Sequence, residues 1–413
     1  MPAPGHIRLL THVLTLLVLA GCGHTRLKAA EPLTLRVALY PYVPDARGLF
    51  FELEAAFEKA HPGVNVELVE TPALTWHYYS GGLSKVQADV YEIDTVMLSD
   101  MIAAKKLQPY AKPPVGPYAE MALQAVQRDG QTWAVPHWMC GNFLFHRAHD
   151  TELAQARTWA EVNAVLAGRK RAMFVDFKGK STLGEWYLTL LSQFEGAKAA
   201  EAKIMSGAPL DSRVVELMSQ ILQSCPAGHC RNDALHDRVG YYARAFVRGE
   251  ADAYVGYSET LHAAMSEVQQ SCGPTDACLR PEELAVRALP QATIDDAATG
   301  IGWVDGLALD AGLKGRKLAV ARAFIEFLAS DEAYQMVLEP EWGESPRYLI
   351  PARRMNVKGA PLYPQLYRAH EGRATGQSAG LNDALRALGK QLDCALPISR
   401  RDTKTLEECR KGR

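Results

Sequence analysis

Residues 33–70 read "LTLRVALYPYVPDARGLFFELEAAFEKAHPGVNVELVE". The opening is rich in β-branched and aromatic residues and predicts a strand. Phe50, Leu53 and Phe57 then repeat at helical spacing, and Pro62-Gly63 stops the helix. "VNVELVE" alternates and predicts a second strand. Strand, helix and strand in this order mean a parallel pair joined by a right-handed crossover.

The same grammar continues outward. A strand is expected around Val90 to Ile93, with a helix from about Asp100. "RAMFVDF", "GEADAYVGYS", "AVRALPQ" and "GIGWVDGLALD" read as further strands. "RKLAVARAFIEFLASDEAYQMVLE" carries Val320, Phe324, Phe327 and Leu328 at helical spacing. Strands and helices alternate instead of segregating, so the class is α/β. A chain of 413 residues exceeds what one core usually holds, so two lobes are expected. "GIGWVDG" lacks the spacing and the strand-turn-helix context of a dinucleotide site.

Composition is that of a soluble globular protein, 48% hydrophobic and 22% charged with a net charge of -2. No basic excess points to a nucleic-acid partner. Residues 1–21 read as an export signal: Arg8, then an apolar run from Leu9 to Ala20 too short to span a bilayer. The run closes on "LAGC", which resembles the lipobox of bacterial lipoproteins. Cys22 is thus the expected lipidation site, and the protein is expected outside the cytoplasm, membrane-bound only through that anchor.

Export implies an oxidising compartment, where disulfides persist. Of the eight cysteines, six fall into close pairs: Cys225 with Cys230, Cys272 with Cys278, and Cys394 with Cys409. Six cysteines allow fifteen pairings, and local pairing is the simplest. A zinc reading of "CPAGHC" with His229 lacks a second ligand pair at the usual spacing. Cys140, within "WAVPHWMCGNFLFHR", is left over. An unpaired cysteine is commonly a small buried hydrophobe, yet a free thiol in an oxidising compartment is a liability unless it is used.

The ordered segments "LTLRVALYPYV", "AAFEKAHPGVNVELVE", "ADVYEID", "FVRGEADAYVGYSE" and "AVARAFIEFLASDEAYQ" resemble type II periplasmic solute-binding proteins. That resemblance implies two α/β lobes around a ligand cleft. Residues 33–139 plus 287–340 would form one lobe, and 140–286 plus 341–413 the other. "VALYPYVPD", "DVYEID", "VPHWMCGNFLF" and "AYVGYSE" are similar to a narrower family, thiaminase I (thiamine pyridinylase), in which this fold carries a cleft cysteine nucleophile.

The resemblance implies roles. Cys140 would be the nucleophile and Glu259, in "GYSET", its base. Asp94 and Asp305 would hydrogen-bond the aminopyrimidine of thiamine, with Asp89 a further acidic candidate. Tyr40, Tyr42 and Tyr257 would stack on the pyrimidine or shape the cleft, with Tyr241 and Tyr242 as additional aromatics. The partners would be thiamine and a nucleophilic co-substrate. No metal or organic cofactor is expected, and the protein is expected to be a monomer. The rival reading is a non-catalytic lipoprotein that delivers thiamine or another solute to an ABC importer. A papain-type hydrolase fits poorly, because His137 and His146 lie too near Cys140 in sequence.

Overall fold

The computed structural model describes residues 32–396, apart from 71–76, 113, 171, 239, 274–276, 295–299, 340–344 and 358–361. The expected leader, Cys22 and Cys409 lie outside the described residues. Strand β1 (Leu33–Ala38) pairs in parallel with β2 (Val64–Leu68), Leu33 opposite Val64. The helix Ala46–Ala60 joins them and buries Leu49, Phe50, Leu53 and Phe57, the face that the spacing predicted.

Chain order continues with β3 (Val90–Asp94), β4 (Leu107–Gln108), β5 (Gln127–Arg128), β6 (Gln131–Thr132), β7 (Ala134–Cys140), β8 (Phe143–Arg147) and β9 (Ala172–Val175). Then come β10 (Ala251–Gly256), β11 (Leu284–Arg287), β12 (Trp303–Asp310) and β13 (Ile350–Pro351). One sheet has the order β13-β7-β12-β3-β1-β2, with β4 also on β12; the other has the order β11-β8-β10-β9. Strands β5 and β6 form a small hairpin. All five residues of β3 are buried, as a strand central in a sheet covered on both faces should be.

The fold is α/β and two-lobed, each lobe built on one of the larger sheets. Only Gly141 and Asn142 separate β7 of the first sheet from β8 of the second. The chain returns between β11 and β12. Strand β13 joins the first sheet, and the helix Leu381–Ala395 then packs along the helix Lys180–Glu195. Gly184 and Gly389 let those two helices touch: a Cβ at either would collide with the carbonyl of Leu385 or Lys180.

The segment 316–339, with its helical spacing, forms two helices, Gly315–Leu328 and Asp331–Leu338. The break has a local cause. The Ser330 hydroxyl accepts from the Ala333 N–H at 3.2 Å and caps a new helix. Cys225–Cys230 and Cys272–Cys278 are disulfides, so the zinc reading of "CPAGHC" falls away. Cys394 is disulfide-bonded too. Among the described residues Cys140 is the free cysteine. No helix among them is long and apolar enough to cross a membrane.

Candidate active site

Three adjacent strands of the first sheet end on one edge. Cys140 is the last residue of β7 and lies opposite Trp303 of β12. Asp305 lies opposite Trp138 on one side and Asp94, the last residue of β3, on the other. Directly opposed residues project to the same face of a sheet, so the register alone gathers these side chains. The β7–β12 register shifts between Asp305 and Gly306, a bulge at the point where the acidic side chain must be aimed.

The second lobe adds its part at the end of β10. Tyr257, Ser258 and Glu259 follow Gly256 in a tight turn, and the Ser258 hydroxyl donates to the Tyr348 carbonyl at 2.7 Å. The Tyr257 hydroxyl donates to Glu185, carried on the helix Lys180–Glu195. From the first lobe Tyr40 reaches in just after β1. Its hydroxyl shares a hydrogen bond of 2.7 Å with Tyr79, whose own hydroxyl donates to Asp94 Oδ2 at 2.7 Å. The Val96 N–H donates to Asp94 Oδ1 at 3.0 Å. Tyr42, 45% exposed, stacks on Tyr79 with parallel rings 6.0 Å apart at the rim.

These acids crowd one another out of water. Burial pushes Asp94 up to about 6, although the Tyr79 and Val96 bonds hold it down. Burial raises Glu185 and Glu259 to about 7 each. Asp305 is pushed well above the carboxylate range, first by burial and then by Asp94, Glu92 and Glu259. Its Oδ1 is buried without a hydrogen-bond partner. Burial also raises the Cys140 thiol well above its usual value, reinforced by Asp305, Glu259, Asp94 and Glu185. A site so loaded with buried carboxyls and one protonated thiol is suited to a cation that brings its own hydrogen-bond donors.

The structure brings together Cys140, Glu259, Asp94, Asp305, Tyr40, Tyr42 and Tyr257. It does not bring Asp89 there. Asp89 precedes β3 at the far end of that strand, where it accepts from the Arg36 N–H at 2.8 Å and pairs with Lys317 at 2.8 Å. Tyr241 and Tyr242 are also elsewhere: Arg238 covers the Tyr241 ring, and the Tyr242 hydroxyl donates to the His229 carbonyl at 2.8 Å.

Several contributors carry no spacing signal. Tyr79 and Glu185 are such residues, as is the buried pair Glu92–His137, in which Glu92 also accepts from the Tyr40 N–H at 2.9 Å. The adjacent aromatics Tyr78-Tyr79 were the one visible hint, since the Tyr78 hydroxyl accepts from the Asp94 N–H at 2.8 Å.

A family model described as bacterial extracellular solute-binding protein matches residues 52–346. The chain belongs to that family. It is similar to thiaminase-1 of Paenibacillus thiaminolyticus, 23% identical over 366 residues that cover 84% of this chain and 83% of the relative. Among solved structures it is similar to thiaminase I from Bacillus thiaminolyticus, with a TM-score of 0.71 and 19% identity over 88% of this chain and 100% of that one. Clostridium botulinum thiaminase I in complex with thiamin gives a TM-score of 0.68 and 18% identity, covering 87% of this chain and 98% of that one. These structural likenesses establish the solute-binding fold, and the chemistry rests on the residues at the strand ends.

Proposed function

We propose that this solute-binding fold works as a thiamine pyridinylase. The observation that carries the reading is the placement of the one free described thiol, Cys140, among Glu259, Asp305 and Asp94 at the inter-lobe edge. The likeness to thiaminases adds support. In the proposed reaction the Glu259 carboxylate takes the Cys140 proton, which suits a base titrating near 7. The thiolate adds to C6 of the aminopyrimidine, while Asp94 and Asp305 hydrogen-bond its amino group and ring nitrogen. Electron density from the adduct breaks the methylene C–N bond, and the pair leaves on nitrogen, so the thiazolium departs as neutral thiazole. An amine or thiol then attacks the methylene carbon and yields its proton to Glu259, which by then has passed the Cys140 proton to solvent; a pyridine-type base has no proton to yield and ends as the pyridinium. Expulsion of the Cys140 thiolate restores the aromatic ring. Tyr40, Tyr42 and Tyr257 would flank the pyrimidine.

The proposed lobes are residues 33–139 with 287–340, and 140–286 with 341–413, β13 being a return to the first sheet. Support comes from the sheet changes after β7 and after β11. Export fits the family's description as extracellular, and the Cys22 anchor is part of the same proposal. The test is to incubate the protein with thiamine and an aromatic amine and to follow the pyrimidine adduct by mass spectrometry. Cys140→Ser should abolish exchange while thiamine binding, measured by calorimetry, survives. Full exchange in Cys140→Ser would remove the cysteine mechanism. Binding without exchange in the unaltered protein would point to the importer-type binding lipoprotein instead.

A further inference from the structure

The groups that face Cys140 come from every element around it: Asp305 on β12, Asp94 on β3, Glu259 and Tyr257 after β10, Glu185 on its helix and Tyr40 after β1. The four carboxyls oppose a thiolate, while burial keeps both tyrosines protonated and uncharged. The segment at the end of the helix Tyr363–His370 lies against the chain crossings. The His370 Nε2–H donates to the Cys140 carbonyl at 3.1 Å. Burial holds His370 down at about 3, so it is neutral and brings no charge.

Arg373 does bring one. It is only 4% exposed. Its Nη2 donates to the Asn142 carbonyl at 2.7 Å, in the first crossing, and its Nη1 to the Ile301 carbonyl at 3.4 Å, in the second. Nε donates to the Ala369 carbonyl at 3.3 Å, and the guanidinium sits 4.4 Å over the Phe143 ring. No carboxylate among the described residues pairs with it. Gly141 makes the approach possible, since a Cβ there would collide with Nη1. Burial lowers Arg373 to about 10, which leaves it charged at neutral pH, and Cys140 and Tyr257 act against that lowering. A guanidinium bonded only to neutral carbonyls keeps its charge uncompensated, and an uncompensated buried charge near a thiol favours the thiolate.

We propose that Arg373 is a positioning residue whose guanidinium, set by the carbonyls of both crossings, is the buried counter-charge of the Cys140 thiolate. The proposal rests on the cysteine mechanism above and adds the cation that lets the thiolate form among four carboxyl groups.

The test is the pH dependence of Cys140 alkylation by iodoacetamide in the folded full chain, with thiamine affinity measured alongside. In Arg373→Gln the alkylation inflection should rise by about one pH unit or more, lowering the rate at pH 7 roughly tenfold. Arg373→Lys, which keeps the charge, should recover most of that loss. A merely structural arginine would change melting and thiamine affinity but leave the inflection in place, and that result overturns the proposal. If Arg373→Gln does not fold, Gly141→Ala serves, because its methyl displaces the guanidinium without deleting it. An upward inflection there supports the proposal, and an unmoved one overturns it. A shifted inflection combined with full turnover in Cys140→Ser would leave the charge pairing standing and remove the mechanism on which it was placed.

Discussion

Asp305 and Asp94 sit directly opposite each other across the antiparallel β12–β3 pair, and both are buried. Asp94 has Tyr79 and the Val96 N–H to steady its charge, whereas Asp305 has one oxygen with no partner. Two such carboxyls cannot both ionise freely, so the pair holds a proton at neutral pH and titrates as a unit. The proton falls mainly to Asp305, whose charge is opposed by burial and acidic neighbours and whose Oδ1 has no hydrogen bond to hold it. Asp305→Asn should therefore raise the melting temperature by about 2 °C or more while cutting base exchange by roughly 10²-fold. A thermal melt and a turnover assay on one preparation check both arms; a destabilised, fully active variant would contradict the assignment.

Glu259 offers a pH signature. An acid raised from 4.5 to about 7 binds more protons folded than unfolded between those values, so its contribution to stability declines as pH rises through that window. Glu259→Gln should melt close to the unaltered protein near pH 4 and about 2–4 °C above it at pH 8. In kinetics the ascending limb of kcat/KM, with its inflection near 7, should disappear in the same variant. Activity should drop by about 10²–10⁴-fold, as expected when general-base transfer is lost.

Asp89 and Tyr79 make a contrasting pair. Asp89 anchors β1 and the helix Gly315–Leu328 through Arg36 and Lys317, so Asp89→Asn should cost about 1–3 kcal/mol and leave kcat within about twofold. Tyr79→Phe removes a hydroxyl that links Tyr40 to Asp94. It should raise the Asp94 titration and reduce kcat/KM by about tenfold. Urea titration and steady-state kinetics on the two variants separate the roles, and a catalytic loss in Asp89→Asn alone would reverse them.

The cysteines make a covalent prediction. Non-reducing peptide mapping should return Cys225–Cys230, Cys272–Cys278 and Cys394–Cys409, with Cys140 free. Replacing Cys225 and Cys230 by alanine, a loop of sequence separation 5, should cost about 2 kcal/mol. Detergent partitioning of the full chain should be lost in Cys22→Ser, and an aqueous protein with Cys22 intact would rule out the anchor.

How much of this is legible from residues alone follows from range. Leu49 to Phe57, the β1–β2 pair and the disulfides at separations of 5 and 6 depend on contacts a few residues or one helix apart. Periodicity and spacing encode such contacts directly. Cys140 stood out by elimination, because its neighbours in kind were already paired.

Other features are set by packing across the chain. Asp94 meets Asp305 only because β12 inserts antiparallel between β3 and β7 in one register. A slip of one residue would turn both carboxyls to the opposite face. Asp89 resembles Asp94 in type and place but lies at the wrong end of the same strand, a difference of strand direction that composition does not carry. Glu185 and Arg373 reach the site from elements whose local patterns serve helix packing and the inter-lobe crossings. Their functional placement, like the raised carboxyls around them, comes from burial created when two lobes close on one edge, and burial is a property of the whole fold.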